Sequence, residues 1–131
     1  MEQTLNVNPE TVCFIIARAR EFQAKDEVVI PDEPADANGD WALDILEDHR
    51  DDMTLQEVQS AVADLEPDQQ YELVALMWVG RGDYDVDDWD SAVLAATEAW
   101  TERTADYLMT TPMAADYLEE GLELLGYSCE E

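Results

Sequence analysis

Gly80-Arg81-Gly82-Asp83 is the stretch of this chain best placed to do chemistry. A guanidinium is a rigid, permanently charged fork that matches a carboxylate or a phosphate. Glycines on either side let the backbone approach a bound group closely. Gly80, Arg81, Gly82 and Asp83, with Trp89 shortly after them, are therefore the expected ligand- or partner-binding residues. Two roles compete for the cation. It can hold an anionic ligand, or it can pair with a neighbouring aspartate and pin the turn. With 33 acids against 6 bases in the chain, pairing is the expectation. Arg81-Gly82-Asp83 also spells a cell-adhesion tripeptide, but three residues carry little information and nothing else in the sequence points outside the cell.

Asp83-x-Asp85-x-Asp87 matches the first three ligand positions of a calcium loop. The match then fails: Asp88 stands where the turn glycine belongs, and Leu94 where the bidentate glutamate should be. A degenerate metal site on Asp83, Asp85, Asp87 and Asp90 is the functional alternative. The simpler reading is that these acids cap the next helix and sit at the positive end of its dipole. No resident cofactor is expected. The single histidine, His49, lies among Glu47, Asp48, Asp51 and Asp52 with no serine or cysteine beside it, and reads as a surface residue. Neither a P-loop nor a dinucleotide glycine pattern is present. Carboxylates are too numerous for any two to be singled out as acid and base.

Cys13 sits in an apolar run and reads as a small buried residue, while Cys129 lies near the other end of the chain. One distant pair is not a disulfide framework. With the lead-in Met1-Glu2-Gln3-Thr4 lacking a basic or apolar signal segment, a cytoplasmic protein with two free thiols is expected. Trp41, Trp78, Trp89 and Trp100 are many for 131 residues. Core packing accounts for them, with a groove or subunit interface, and so self-association, as the alternative.

The net charge of −27 excludes direct binding to a phosphate backbone, which needs lysine and arginine to release counterions. It argues equally against an anionic membrane surface. Three readings remain: a solvated acidic surface, a basic protein partner, or an acidic mimic of nucleic acid. The acids are spread through nearly every segment, which favours the first. Self-repulsion at this charge weakens a fold at low ionic strength, and added salt shortens its range. The melting temperature followed by circular dichroism is therefore expected to rise with added NaCl. A flat or falling curve would remove repulsion from the stability of this protein.

The elements that must position these residues read as helices. Asn8-Pro9-Glu10 is a helix start, and Val12, Ile15, Ile16, Ala19 and Phe22 recur at helical spacing up to about Lys25. Val28-Val29-Ile30 is β-prone but short, and residues 31–40 form an acidic loop rich in proline. Trp41 to His49 reads as a short helix. Thr54 and Glu57 form a capping box for the helix bearing Leu55, Val58, Val62 and Leu65. Pro67 opens a helix whose run Leu73–Val79 has no polar break, so it must be enclosed on all sides, and Gly80 is its expected C-cap. The next helix starts at Asp87 or Asp88 and is expected to be the longest, carrying Trp89, Val93, Ala96, Trp100 and Tyr107 in one stripe with Leu94 and Leu108 beside it. A last helix follows Thr111-Pro112, with Met113, Tyr117, Leu118, Leu122 and Leu125 inward and Gly126 at its end. Gly121, inside that helix, costs about 1 kcal/mol relative to alanine and marks a close helix–helix contact. The sum is one all-α domain over residues 1–131, a compact bundle of about six helices around a buried central helix.

Three pieces carry a family resemblance: LVALMWVGRGD from Leu73 to Asp83, the tryptophan-led helix after it, and ADYLMTTPMAADYLEEGLELLG from Ala105 to Gly126. Over these the chain resembles a small bacterial family catalogued as domain of unknown function 3775. The resemblance implies a shared fold and carries over no catalytic residue. The expected role is a non-enzymatic cytoplasmic binding or adaptor domain whose partner, of basic character, meets the surface around Arg81 and the following helix. The alternatives are a small anion-binding protein or enzyme using Arg81, and an acidic nucleic-acid mimic.

Overall fold

Asn8 starts the first helix as its sequence requires. Its side chain accepts from the Glu10 amide at 2.9 Å, Pro9 takes the first helical position, and α1 runs Pro9–Gln23. The computed structural model of the chain describes residues 5–24, 52–100, 103–111 and 113–129. Within them lie six α-helices and no strand: α1, α2 (Met53–Ala63), α3 (Pro67–Arg81), α4 (Trp89–Ala99), α5 (Thr104–Met109) and α6 (Ala114–Leu124). The fold is all-α, as expected. The β-prone stretch at 28–30, the acidic loop at 31–40, the helix expected from Trp41 and the lone His49 lie outside the described residues.

One helix start differs from its sequence signal. The capping box at Thr54 is not used. Asp52 is the N-cap of α2, its carboxylate accepting from the Leu55 amide at 3.1 Å, and Thr54 is already inside the helix and buried. The helix begins two residues upstream of the expected cap, so the orphan amide that is satisfied is that of Leu55. At α3 the expected start holds: Pro67 takes the first helical position, Glu66 is the N-cap, and Gln69 Oε1 accepts from the Glu66 amide at 2.9 Å.

The helix expected to be longest is two helices. α4 follows a 3₁₀ turn at Val86–Asp88 and stops at Ala99, because Trp100 takes an extended backbone with ψ 140°. α5 then covers the Tyr107 region separately. Among the described residues the longest helices are α1 and α3, at 15 residues each. The break divides the expected stripe. Trp89, Ala92, Ala96 and Leu108 are buried, while Leu94 is 59 % exposed and Trp100 and Tyr107 reach the surface. On α6, Leu118, Leu122 and Leu125 point inward as expected, but Met113 precedes the helix at φ 61° and is exposed.

α3 is the enclosed helix. Leu73, Ala75, Leu76 and Met77 are fully buried and Val79 nearly so. It does not stand alone at the centre. α6 lies between α3 and α1, α2 packs on the far side of α1, α4 lies on α3, and α5 touches α2, α1 and α3. The crossing of α3 with α6 needs glycine on both sides. A methyl at Gly80 would collide with the carbonyl of Tyr117, and one at Gly121 with the carbonyl of Leu76. Gly121 is therefore the close contact its helical position implied. Gly80 is not the C-cap. It lies within α3, and Gly82, at φ 98°, takes the left-handed cap.

Glu72 is the one acid buried on α3, at 5 % exposure. Its Oε1 accepts from the amides of Asn6 and Val7, both at 2.8 Å, and so fastens the segment ahead of α1 to the core. Burial raises its pKa above the ordinary glutamate value, with the two amide donors and the charge of Asp68 acting after it, the donors downward and Asp68 upward. The sign follows from linkage. A carboxyl that binds its proton more tightly when folded destabilises the fold while ionised, and that penalty disappears as pH falls through the raised value. Glu72→Gln keeps an acceptor and removes the charge. It is expected to melt above the parent at neutral pH, with the difference closing as the pH is lowered. Glu72→Ala leaves two amides without an acceptor and is expected to cost about 1–3 kcal/mol. Thermal scans across pH check both, and a Gln variant melting well below the parent at neutral pH would refute the sign.

The cysteines are not free. Cys13 on α1 and Cys129 beyond α6 form a disulfide across 116 residues, with their Cα atoms 5.6 Å apart. Sequence separation gave no sign of this pairing. It arises because α6 packs on α1 and the chain reverses at Gly126, φ 97°, so that the tail returns over α1. Tyr127 adds a second tie, its hydroxyl accepting from the Leu5 amide at 3.3 Å.

Candidate functional site

At the end of α3 the chain curls back on itself. The amides of Gly82 and Asp83 both donate to the Trp78 carbonyl, at 3.1 and 2.9 Å. This places the Asp83 carboxylate against Arg81, whose Nε and Nη2 donate to Oδ2 at 2.9 and 2.6 Å. It also lays Tyr84 on the Trp78 ring, with centroids 6.1 Å apart and planes 22° from parallel. Burial works against the Arg81 charge, but Asp83 and the nearby Tyr107 hydroxyl outweigh it and raise the pKa above the ordinary arginine value. The guanidinium is thus engaged by its own chain, as the excess of acids implied.

The expected site residues separate. Gly80 is closed off in the helix crossing, and Trp89, 4 % exposed, belongs to the core. Gly82, Arg81 and Asp83 form the exposed turn. Asp83 faces Arg81, whereas Asp85 and Asp87 line a separate shallow recess with Tyr84, Glu120 and Leu124. Among the described residues, no three histidine, cysteine or acidic side chains come together as a metal-holding group.

Beside the arginine turn lies a cleft of about 290 Å³ that the sequence did not reveal. α3 contributes Val74 and Trp78, the end of α4 contributes Ala96, Ala99 and Trp100, and α5 contributes Thr104 and Tyr107. Trp100 and Tyr107 are 38 % and 40 % exposed. The aromatic walls are fixed by hydrogen bonds at their edges. Trp78 Nε1 donates to the Tyr107 hydroxyl at 3.0 Å. Trp100 Nε1 donates to Gln70 Oε1 at 2.7 Å, and Gln70 in turn donates to the Val62 and Leu65 carbonyls at 3.0 and 3.3 Å. Tyr71 meets the Trp100 ring edge-on, with centroids 6.4 Å apart. Tryptophans with engaged N–H groups and partly open rings are groups held ready for contact. The one signal in sequence was the number of tryptophans. Their assembly depends on the break at Trp100, which turns that ring away from the core stripe.

The charges around the cleft are balanced within the chain. Arg103 pairs with Asp106 at 3.3 Å, as Arg81 does with Asp83. Farther away, Arg20 is held by Asp116 and Glu119 at 2.8 and 2.6 Å, and those carboxylates raise its pKa; Arg18 is held by Glu21 and Glu57. Every described arginine is therefore neutralised by acids of the same chain.

Among the described residues, no helix is long and apolar enough to cross a membrane. No curated protein and no solved structure matches the chain. The family model described as "Protein of unknown function (DUF3775)" matches residues 55–127, a segment that includes α3, the arginine turn, the cleft and α6, and excludes α1 and both cysteines. Over more than half of its length, and with the glycine crossing and aromatic cleft inside that half, this chain belongs to the DUF3775 family.

Proposed function

We propose that the chain is a non-enzymatic binding domain whose cleft between α3, α4 and α5 receives a side chain from a basic protein segment. The observation that carries this reading is the cleft itself, with Trp78, Trp100 and Tyr107 fixed in place and all three partly exposed. Buried aromatic anchors are where interfaces concentrate their energy. The basic character of the partner follows from charge complementarity, since each described arginine already has its acid and the chain carries −27. An anion site at Arg81 has less support, because an incoming phosphate or carboxylate would first have to displace Asp83.

Selection from a random peptide library against the intact chain tests this. Enriched peptides should carry lysine or arginine around one anchor residue, bind more weakly as NaCl is added, and be lost by Trp100→Ala. Enriched peptides without that basic excess, or binding indifferent to Trp100, would refute it. Cytoplasmic location is part of the same proposal, and the disulfide is the observation it has to meet, since such bridges are rare in reducing compartments. Alkylation of thiols trapped in intact cells should then find Cys13 and Cys129 reduced. Finding both blocked would place the chain in an oxidising compartment.

A further inference from the structure

The cleft also indicates which cation it would accept. We infer that it takes a methylated ammonium group, of the kind carried by a trimethylated lysine, rather than an ordinary lysine or arginine head. This rests on the binding role proposed above and names the chemistry of its anchor. Three observations lead to it. First, the walls are aromatic: two indoles and a phenol, whose faces attract cations. Second, no carboxylate lines the cleft. The Tyr107 oxygen already accepts from Trp78, and Thr104 already has a partner. A primary ammonium or a guanidinium entering the cleft would lose water from its N–H groups and find few acceptors in return, which is costly. A quaternary ammonium has no N–H to satisfy. Its methyl groups suit Val74, Ala96 and Ala99, and its charge is met by the rings. Third, the two cations near the rim, Arg81 and Arg103, are each neutralised by a carboxylate, while Glu98 beside Ala99 adds negative charge. The rim therefore does not repel a cation, and the field of the whole chain draws one in.

The test uses the intact chain and four probes, followed by calorimetry and tryptophan fluorescence. They are a short Lys/Ala peptide with one central trimethyllysine, the same peptide with plain lysine there, the same with the neutral carbon isostere tert-butyl norleucine, and free choline. The trimethyllysine peptide is expected to bind about ten-fold tighter than either other peptide. Trp100→Leu, which keeps an apolar wall without the ring, should erase that preference while the circular dichroism spectrum stays unchanged. Tyr107→Leu is the second variant should Trp100→Leu fold poorly. Equal affinity for the neutral isostere would make the cleft merely apolar and overturn the inference, leaving the basic-segment reading intact. Preference for plain lysine would overturn it in the same way. Choline binding as tightly as the trimethyllysine peptide would support the ammonium chemistry but sink the protein-segment reading. No binding of any probe would sink both.

Discussion

Gly121→Ala is expected to lower the melting temperature by about 10 °C, although alanine is the better helix former. The intrinsic preference for alanine within a helix is about 1 kcal/mol. Against it stands a methyl driven into the Leu76 carbonyl of α3, which is backbone and cannot rotate away. Relief requires α3 and α6 to separate, and these two helices carry Leu73, Leu76, Met77, Leu118 and Leu122 in the core between them. Overpacking of this kind costs about 1–3 kcal/mol and sometimes more, and here the obstacle is rigid, so the collision wins. Gly80→Ala meets Tyr117 and Gly121 backbone from the other side and should behave alike. Because the two glycines share one crossing, the double variant should lose less than the sum of the single losses, the helices having already parted. Thermal scans of the three variants decide the matter. A Gly121→Ala protein that melts higher than the parent would show that propensity governs and that the crossing is loose.

Breaking the Cys13–Cys129 bridge is the other large effect. Closing a loop across 116 residues removes much of the freedom of the unfolded chain. The loop-entropy relation gives about 5 kcal/mol for that length, and native bridges commonly deliver about 2–5. Cys13→Ser with Cys129→Ser, or dithiothreitol on the parent, is therefore expected to lower the melting temperature by about 10–15 °C. The helices should survive at low temperature, because the core on α3 and α6 does not include the bridge. Urea titration, oxidised against reduced, measures the difference. Identical midpoints would mean that the tail is held by Tyr127 and Leu125 packing alone. The effect also bears on location. In a reducing compartment the chain would have to fold without this contribution, so the reduced midpoint is the relevant stability there.

Both effects lie where local sequence and tertiary contact say different things. At Gly121 the sequence pointed to a close contact, because a glycine within an apolar helical stripe has little other reason to be there. The mate of that contact, Gly80, was read as a helix end. A Gly-Arg-Gly run offers two candidate caps, and only the approach of Tyr117 reveals that the first is needed inside the helix. Thr54 and Glu57 had the spacing of a capping box, yet the helix starts earlier and Asp52 caps it. Spacing lists which groups could cap, and the entry angle of the chain selects one.

What the sequence determined by itself was the helical class, the apolar faces of α1 and α2, the burial of Leu73–Met77 and Val79 and the pairing of Arg81 with a nearby acid. These depend on period, on caps and on the excess of carboxylates, all of which are local or compositional. Tertiary structure alone decided the disulfide, the two-sided glycine crossing, and the cleft of Trp78, Trp100 and Tyr107. Each of these joins residues distant along the chain, and the cleft further requires the turn at Trp100, where α4 stops short of the stripe its sequence continues. Periodicity specifies which way a side chain faces within its own helix. It cannot specify which face of another helix will stand opposite, and that is where a bond, a collision or a binding surface is made.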